Sequence, residues 1–256
     1  MNHNHLSTEL LFTTIPIRTN INNVGINGTA FIISIPTTDT QSSIPILVTN
    51  YHVIKGFANI YADFFQSDSS NGKPITSKKI SLKISSSDFC INEQLDVAFI
   101  PIAPALTELL SKGIHIFYKS LDKNLVYSSE KEKSLAAIEE VTFIGYPYGL
   151  KEVSNNFPIA RRGITATPIW SSDSDRTFLI DAGVFPGSSG SPVFIYNQGM
   201  YSDGNSTTVG TRLVFLGMIK SSIQENTSKQ YIGLGEVIKA NAIFNFIYTK
   251  LNLLQS

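Results

Sequence analysis

The sequence predicts an all-β protein of two antiparallel barrels with a helix at the C-terminus. Three observations predict it. Short runs of Ile, Val, Phe and Thr are separated by Gly, Pro, Asn and Ser along most of the chain. Each half holds several such runs with no regular helix between them, which argues against a parallel sheet of alternating strands and helices. The end of the chain differs: over Glu236–Leu251 the residues Val237, Ile238, Ile243, Phe244, Ile247 and Leu251 form a helix-spaced apolar stripe. Barrels leave few exposed edges; a sandwich has the same periodicity.

In the first half, strands are expected at Thr29–Ile35, Ile46–Thr49, Ala58–Phe65, Ile80–Ile84 and Val97–Ile100. The serine-rich stretch Gln66–Lys79 reads as a surface loop. Leu106–Lys112 reads as one or two helical turns, and the alternating charges of Asp122–Glu132 as a solvated linker. In the second half, strands are expected at Glu140–Gly145, Arg162–Pro168, Thr177–Asp181, Pro192–Tyr196 and Leu213–Ile219, with a long turn over Asn197–Thr211. The predicted layout is a tail or arm over residues 1–23, a first barrel over 24–120, a linker over 121–134, a second barrel over 135–235 and the closing helix over 236–256.

Composition removes several function classes. The 256 residues carry 20 basic and 20 acidic side chains, a net charge of zero, so a broad basic surface for nucleic acid is not expected. A hydrophobic fraction of 42% is enough to bury a core and excludes a disordered chain. The single cysteine, Cys90, allows neither an intrachain disulfide nor a four-cysteine zinc site. The apolar run Val97–Leu106 contains two prolines and falls short of the ~20 residues a membrane helix needs, so no membrane partner is expected. The N-terminus MNHNHLSTELLFTTIPIRTN lacks a basic region followed by a continuous apolar one, so no signal peptide is read. A cytoplasmic location is the expectation if this N-terminus is native, and a secreted or periplasmic one if a leader was removed.

Three short segments carry chemistry. Phe185–Phe194, FPGSSGSPVF, packs glycines, serines and a proline before an apolar strand. Glycine permits backbone geometry that side chains forbid, so such a turn can present a hydroxyl and converge N–H groups on a developing oxyanion. In Val48–Ile54, VTNYHVI, His52 follows an apolar strand; in Gln94–Ile100, QLDVAFI, Asp96 opens one. Taken singly, a surface turn, a structural histidine and a strand-end aspartate explain each. His3 and His5 lie in a polar stretch and His115 reads as structural. No H-E-x-x-H pattern or dense His/Asp/Glu cluster is present, so metal dependence is not expected.

Together the three segments say more. Their order is His, Asp, Ser, with His52 and Asp96 44 residues apart and Asp96 and Ser189 93 apart. This order, with the segments VTNYHVI, LDVAFI and PGSSGSPVF, resembles the chymotrypsin-like (trypsin-like) serine proteases. The likeness is nearest to the disulfide-free bacterial HtrA/Deg-like catalytic domains and the glutamyl endopeptidases. IGYPYGL (Ile144–Leu150), RRGIT (Arg161–Thr165) and DAGVFPGSSG (Asp181–Gly190) are similar to the same group.

The resemblance implies an all-β fold of two antiparallel six-stranded barrels with a C-terminal helix. It also implies a serine endopeptidase acting on polypeptides that requires no metal or organic cofactor. Ser189 would be the nucleophile, His52 the general base, Asp96 its orienting carboxylate, and the N–H groups of Gly187 and Ser189 the oxyanion hole. His52 and Asp96 would come from the first barrel and Ser189 from the second. Ser188 stands where the digestive enzymes have an acidic residue. Gly183, six residues before the nucleophile, would lie at the base of the pocket for the side chain before the cut, and carries no negative charge to favour Lys or Arg. Lys220, Ser221 and Ser222 would lie beside the substrate backbone, and Gly233 near the pocket wall. A monomer is slightly favoured. Two alternatives stay open: an inactive protease-like domain that binds peptides or proteins, and an esterase using the same residues.

Overall fold

The computed structural model describes residues 5–19, 28–37, 42–171, 176–203, 206–224 and 230–254. The expected boundary at 23/24 and His3 lie outside them. In chain order the strands are β1 (Thr14–Arg18), β2 (Gly28–Pro36), β3 (Ser43–Thr49), β4 (Asn59–Ser67), β5 (Pro74–Ser85), β6 (Cys90–Asn92), β7 (Val97–Pro101), β8 (Ile116–Phe117), β9 (Glu140–Gly145), β10 (Ile159–Thr165), β11 (Thr177–Asp181), β12 (Pro192–Asp203), β13 (Ser206–Gln224) and β14 (Tyr231–Lys239). The helices are α1 (Leu6–Leu11), α2 (Tyr51–Ile54), α3 (Ala103–Ser111), α4 (Ser129–Glu132) and α5 (Ala240–Leu254). The chain divides into two compact units: Met1–Asp122 with Ile144–Ile159 and Pro186–Ser191, and Lys123–Phe143 with Ala160–Phe185 and Pro192–Ser256.

The first unit is built on an eight-stranded antiparallel sheet in the order β5-β4-β1-β2-β3-β7-β6, with β8 paired to β4. Its core holds Ile15, Ile17, Ile32, Leu47, Ile60, Phe64 and Ala98. The expected pair of six-stranded barrels is therefore not what forms: this sheet has eight strands, and its order is open, ending on β5 and β6. The cause is the added pairing. β1, from residues expected to be tail or arm, joins both β2 and β4, and the short β6 and β8 add to β7 and β4. Pro74–Lys79, expected as loop, is the start of β5, paired to β4 through a bulge between Phe65 and Gln66.

The second unit holds the six strands β10-β11-β14-β13-β12-β9. Val141, Phe178, Ile180, Val193, Ile195, Val214 and Val237 lie in its core. Two sequence expectations change here. Within the expected turn Asn197–Thr211, the described residues Asn197–Asp203 and Ser206–Thr211 are strand: β12 and β13 stay paired from Tyr196↔Leu213 out to Asp203↔Ser206. The Arg212 guanidinium secures that ribbon, donating to Asn197 Oδ1 at 2.9 Å and pairing with buried Glu139 at 2.6 Å. The C-terminal helix starts at Ala240, because Val237 and Ile238 are in β14 and pair with Phe178 and Thr177 of β11. Both neighbours are buried, as a strand inside a sheet allows. From Ala240 onward α5 buries Ile243, Phe244 and Ile247.

One lysine in the first unit is held against aromatic rings. Lys79 Nζ lies 5.1 Å from the Phe65 ring centre and 5.8 Å from that of Tyr146. Burial, with Lys151 adding like charge, brings its ammonium down to about 8. Unfolding restores the ordinary value near 10.5, so between those values the unfolded chain binds more protons and stability rises with pH. Denaturant melts at pH 7.5 and 9.5 should show wild type gaining stability relative to Lys79→Met. Parallel curves for the two proteins would contradict the assignment.

Candidate active site

His52 is positioned by the end of a buried strand. β3 runs to Thr49, and Asn50 then begins the single turn α2 that carries His52. β7 pairs with β3 in the register Thr49↔Ala98, so the residues just before β7 lie beside that turn. Asp96 is there, in left-handed backbone (φ 58°), a conformation Asp tolerates better than most residues. Its carbonyl accepts from Tyr51 N at 3.2 Å and from Asn50 Nδ2 at 3.0 Å, and its own N–H donates to Glu93 O.

Held so, the Asp96 carboxylate meets His52 with both oxygens. Oδ1 accepts the His52 backbone N–H at 2.9 Å, and Oδ2 lies 2.7 Å from His52 Nδ1. A carboxylate only accepts, so Nδ1 carries the proton and Nε2 of the neutral ring is left as the acceptor. The carboxylate side chain is 15% exposed and the imidazole 47%. That is a largely buried acid beside a ring half open to solvent. Tyr51 packs on the core of the first unit, and Lys55 lies over its ring.

Ser189, in the segment Pro186–Ser191, belongs to the same compact unit as His52 and Asp96. Its loop is defined carbonyl by carbonyl. Pro186 O accepts from Tyr148 N at 2.6 Å, Gly187 O from Thr29 Oγ1 at 2.9 Å, Ser188 O from Ser191 N at 3.0 Å, and Ser189 O from Thr29 N at 2.8 Å. In a trans peptide the C=O and the following N–H point opposite ways. The Tyr148–Pro186 bond therefore turns the Gly187 N–H away from Tyr148. Within Gly187–Ser191 only Ser189 is partly exposed; Ser188 and Ser191 are buried.

Two glycines are required here. Gly187 has φ +90°, and a Cβ would fall 2.4 Å from Tyr146 O; Gly190 has φ +88°, and a Cβ would fall 1.7 Å from Thr29 O. Thr29 O is itself bound by Thr49 Oγ1 at 2.7 Å, so the obstacle is fixed backbone.

The residues expected to read the substrate side chain are all in the second unit. Gly233 (φ +83°) accepts from Ala182 N at 3.0 Å, beside Gly183. Ser221 pairs with Glu236 and Ser222 with Gly235 across β13 and β14. Lys220 Nζ is ion-paired to Glu236 at 3.0 Å. The sequence does not single out Arg161 for this role. Its guanidinium donates to Gly183 O and lies 4.7 Å from the Phe185 ring centre and 5.6 Å from that of Phe143, with its proton affinity lowered by burial. Nor does it single out Thr29, Asn50 and Tyr148 for how they hold the His52 and Ser189 segments. Among the described residues no group of three or more His, Cys, Asp or Glu could hold a metal ion, and no helix is long and apolar enough to cross a membrane.

A family model described as trypsin-like peptidase domain matches residues 28–200, and the chain belongs to that family. No curated protein matches it. Its fold is similar to that of the MamO protease domain from Magnetospirillum magneticum, with TM-score 0.53, 12% identity and coverage of 94% of this chain and 98% of that one. It is also similar to the HtrA-type protease AlgW with a decapeptide, with TM-score 0.51, 13% identity and coverage of 98% and 68%. Rv3671c from M. tuberculosis H37Rv, in an inactive form, matches at TM-score 0.49 and 16% identity, over 97% and 90%.

The glycine pair allows a direct test. Gly199 shares φ +88° with Gly190, but a Cβ there would have nothing within 4 Å. Gly199→Ala should cost about 1–2 kcal/mol from the dihedral alone. Gly190→Ala should cost about 2–6 kcal/mol, since the clash adds to the strain. Equal losses in denaturant unfolding would show that the Thr29 contact does not constrain the loop.

Proposed function

We propose that the protein is a serine endopeptidase in which Ser189 is the nucleophile, His52 the general base and Asp96 the group that orients it. The single observation that carries this reading is the two-point clasp of His52 by Asp96. It holds the ring in the tautomer whose free nitrogen can take a proton. The part-exposed Ser189, on a loop whose carbonyls from Pro186 to Ser189 are engaged, supports it.

In the proposed reaction the Ser189 oxygen attacks the scissile carbonyl carbon while its proton passes to His52 Nε2. The carbonyl oxygen becomes an anion, which the N–H groups of Gly187 and Ser189 stabilise. Collapse breaks the C–N bond, and His52 gives the proton to the leaving amine. Water, deprotonated by the same nitrogen, then attacks the acyl-enzyme ester, and the carboxylic acid leaves as Ser189 regains its proton. Asp96 stays ionised and stabilises the imidazolium formed in each half.

For the side chain before the cut, the guanidinium at Gly183 argues against Lys or Arg, because like charges oppose their entry. A peptide library should therefore yield few cuts after basic residues, and Arg161→Ala should relax that exclusion. Dominant cleavage after Lys or Arg would contradict it.

The catalytic assignment is tested with a fluorophosphonate probe and a peptide substrate. Wild type should be labelled once, on Ser189; Ser189→Ala should lose label and cleavage, and Asp96→Asn should lose ~10⁴-fold in kcat. A folded wild-type protein that is neither labelled nor able to cleave would favour a peptide-binding domain without catalysis. Turnover of activated esters without peptide cleavage would favour the esterase.

A further inference from the structure

Thr29 is fully buried in β2, yet it is bound to the segments that carry both Ser189 and His52. Its N–H donates to Ser189 O at 2.8 Å. Its hydroxyl donates to Gly187 O at 2.9 Å and accepts from Tyr146 N at 3.2 Å. Its carbonyl accepts from Thr49 Oγ1 at 2.7 Å, three residues before His52. We propose that the Thr29 hydroxyl is a positioning group for acyl transfer, setting the angle between the two N–H groups that receive the oxyanion. The proposal rests on the endopeptidase reading above.

The reasoning is geometric. The amides assigned to the oxyanion are those of Gly187 and Ser189. They belong to the peptide planes Pro186–Gly187 and Ser188–Ser189, whose carbonyls are held by Tyr148 N and Ser191 N. The plane between them is Gly187–Ser188, and its carbonyl is held by the Thr29 hydroxyl. Rotation of that middle plane, where it is not offset at the Cα atoms of Gly187 and Ser188, would change the relative direction of the two outer N–H groups. Glycine at 187, with φ +90°, offers little resistance of its own to such a rotation. The hydroxyl bond opposes it, and the same oxygen accepts from Tyr146 N, two residues before the Tyr148 N–H that holds Pro186 O. Two of the four restrained carbonyls, Gly187 and Ser189, thus depend on one residue. A group that aims others without touching the substrate affects the transition state more than ground-state binding.

Thr29→Val removes the donor and acceptor while keeping the branched shape and both backbone bonds; Thr29→Ser keeps the hydroxyl. Steady-state kinetics on one peptide substrate should show kcat of Thr29→Val reduced about ten- to a hundredfold. Its KM should stay within about threefold, and Thr29→Ser should remain within about threefold of wild type in both constants. The affinity of a peptide trifluoromethyl ketone, whose hemiketal oxyanion needs both N–H groups, should fall in step with kcat/KM. Should Thr29→Val not fold, Thr29→Ala removes the same hydroxyl with less crowding and takes its place. An unchanged kcat, an effect confined to KM, equal losses in the Val and Ser proteins, or loss of folding in both Val and Ala would overturn the proposal in favour of a purely structural role. A folded wild type that neither cleaves nor takes up fluorophosphonate would overturn the endopeptidase reading itself.

Discussion

The commitment of both Asp96 oxygens to one histidine is the interaction on which the candidate site depends. One oxygen fixes where the His52 backbone sits and the other fixes which ring nitrogen is protonated. The backbone at Asp96 is left-handed, and its carbonyl is tied to Asn50 and Tyr51 in the turn that carries His52. The β3–β7 register brings the two segments together, so the eight-stranded sheet is what the pair rests on.

The loop carrying Ser189 solves a different problem. A tight turn at a buried position has carbonyls that must be satisfied without crowding the amides needed elsewhere. From Pro186 to Ser189 each carbonyl has its own donor, and the donors come from Tyr148, Thr29 and Ser191. Glycine at 187 and 190 lets fixed carbonyls of Tyr146 and Thr29 approach where a side chain would stand. The open strand order of the first sheet, in place of a six-stranded barrel, leaves these local contacts intact.

How much of this is legible in the sequence follows from the range of each interaction. Glu140–Gly145 and Thr177–Asp181 are legible with their observed limits, because apolar alternation bounded by turn residues is a local signal. β1 is not, since Thr14–Ile17 is buried on both faces and contains Pro16, so neither alternation nor propensity marks it. The outer β12–β13 ribbon is hidden because Asn, Gly and Ser on β12 and Ser, Thr and Gly on β13 look like loop; cross-strand pairing and Arg212 hold it instead. At the site, His52, Asp96 and the Ser189 turn stand out as short motifs. Thr29, Asn50 and Tyr148 do not, since their roles are hydrogen bonds to residues far along the chain, 158 positions away for Thr29 and Gly187. The RRGIT motif marks Arg161 but not its contact, for the same reason: only the folded β10 brings it to Gly183.

The most direct measurement is a crystal structure of the protein inhibited by a peptidyl phosphonate. The expected electron density joins phosphorus to the Ser189 oxygen. One phosphonyl oxygen should lie within hydrogen-bond reach of the Gly187 and Ser189 N–H groups, and His52, still clasped by Asp96, should have Nε2 turned to the adduct. Phosphorus on another residue, or an adduct on Ser189 with its oxygen turned away from both N–H groups and from His52, would contradict it.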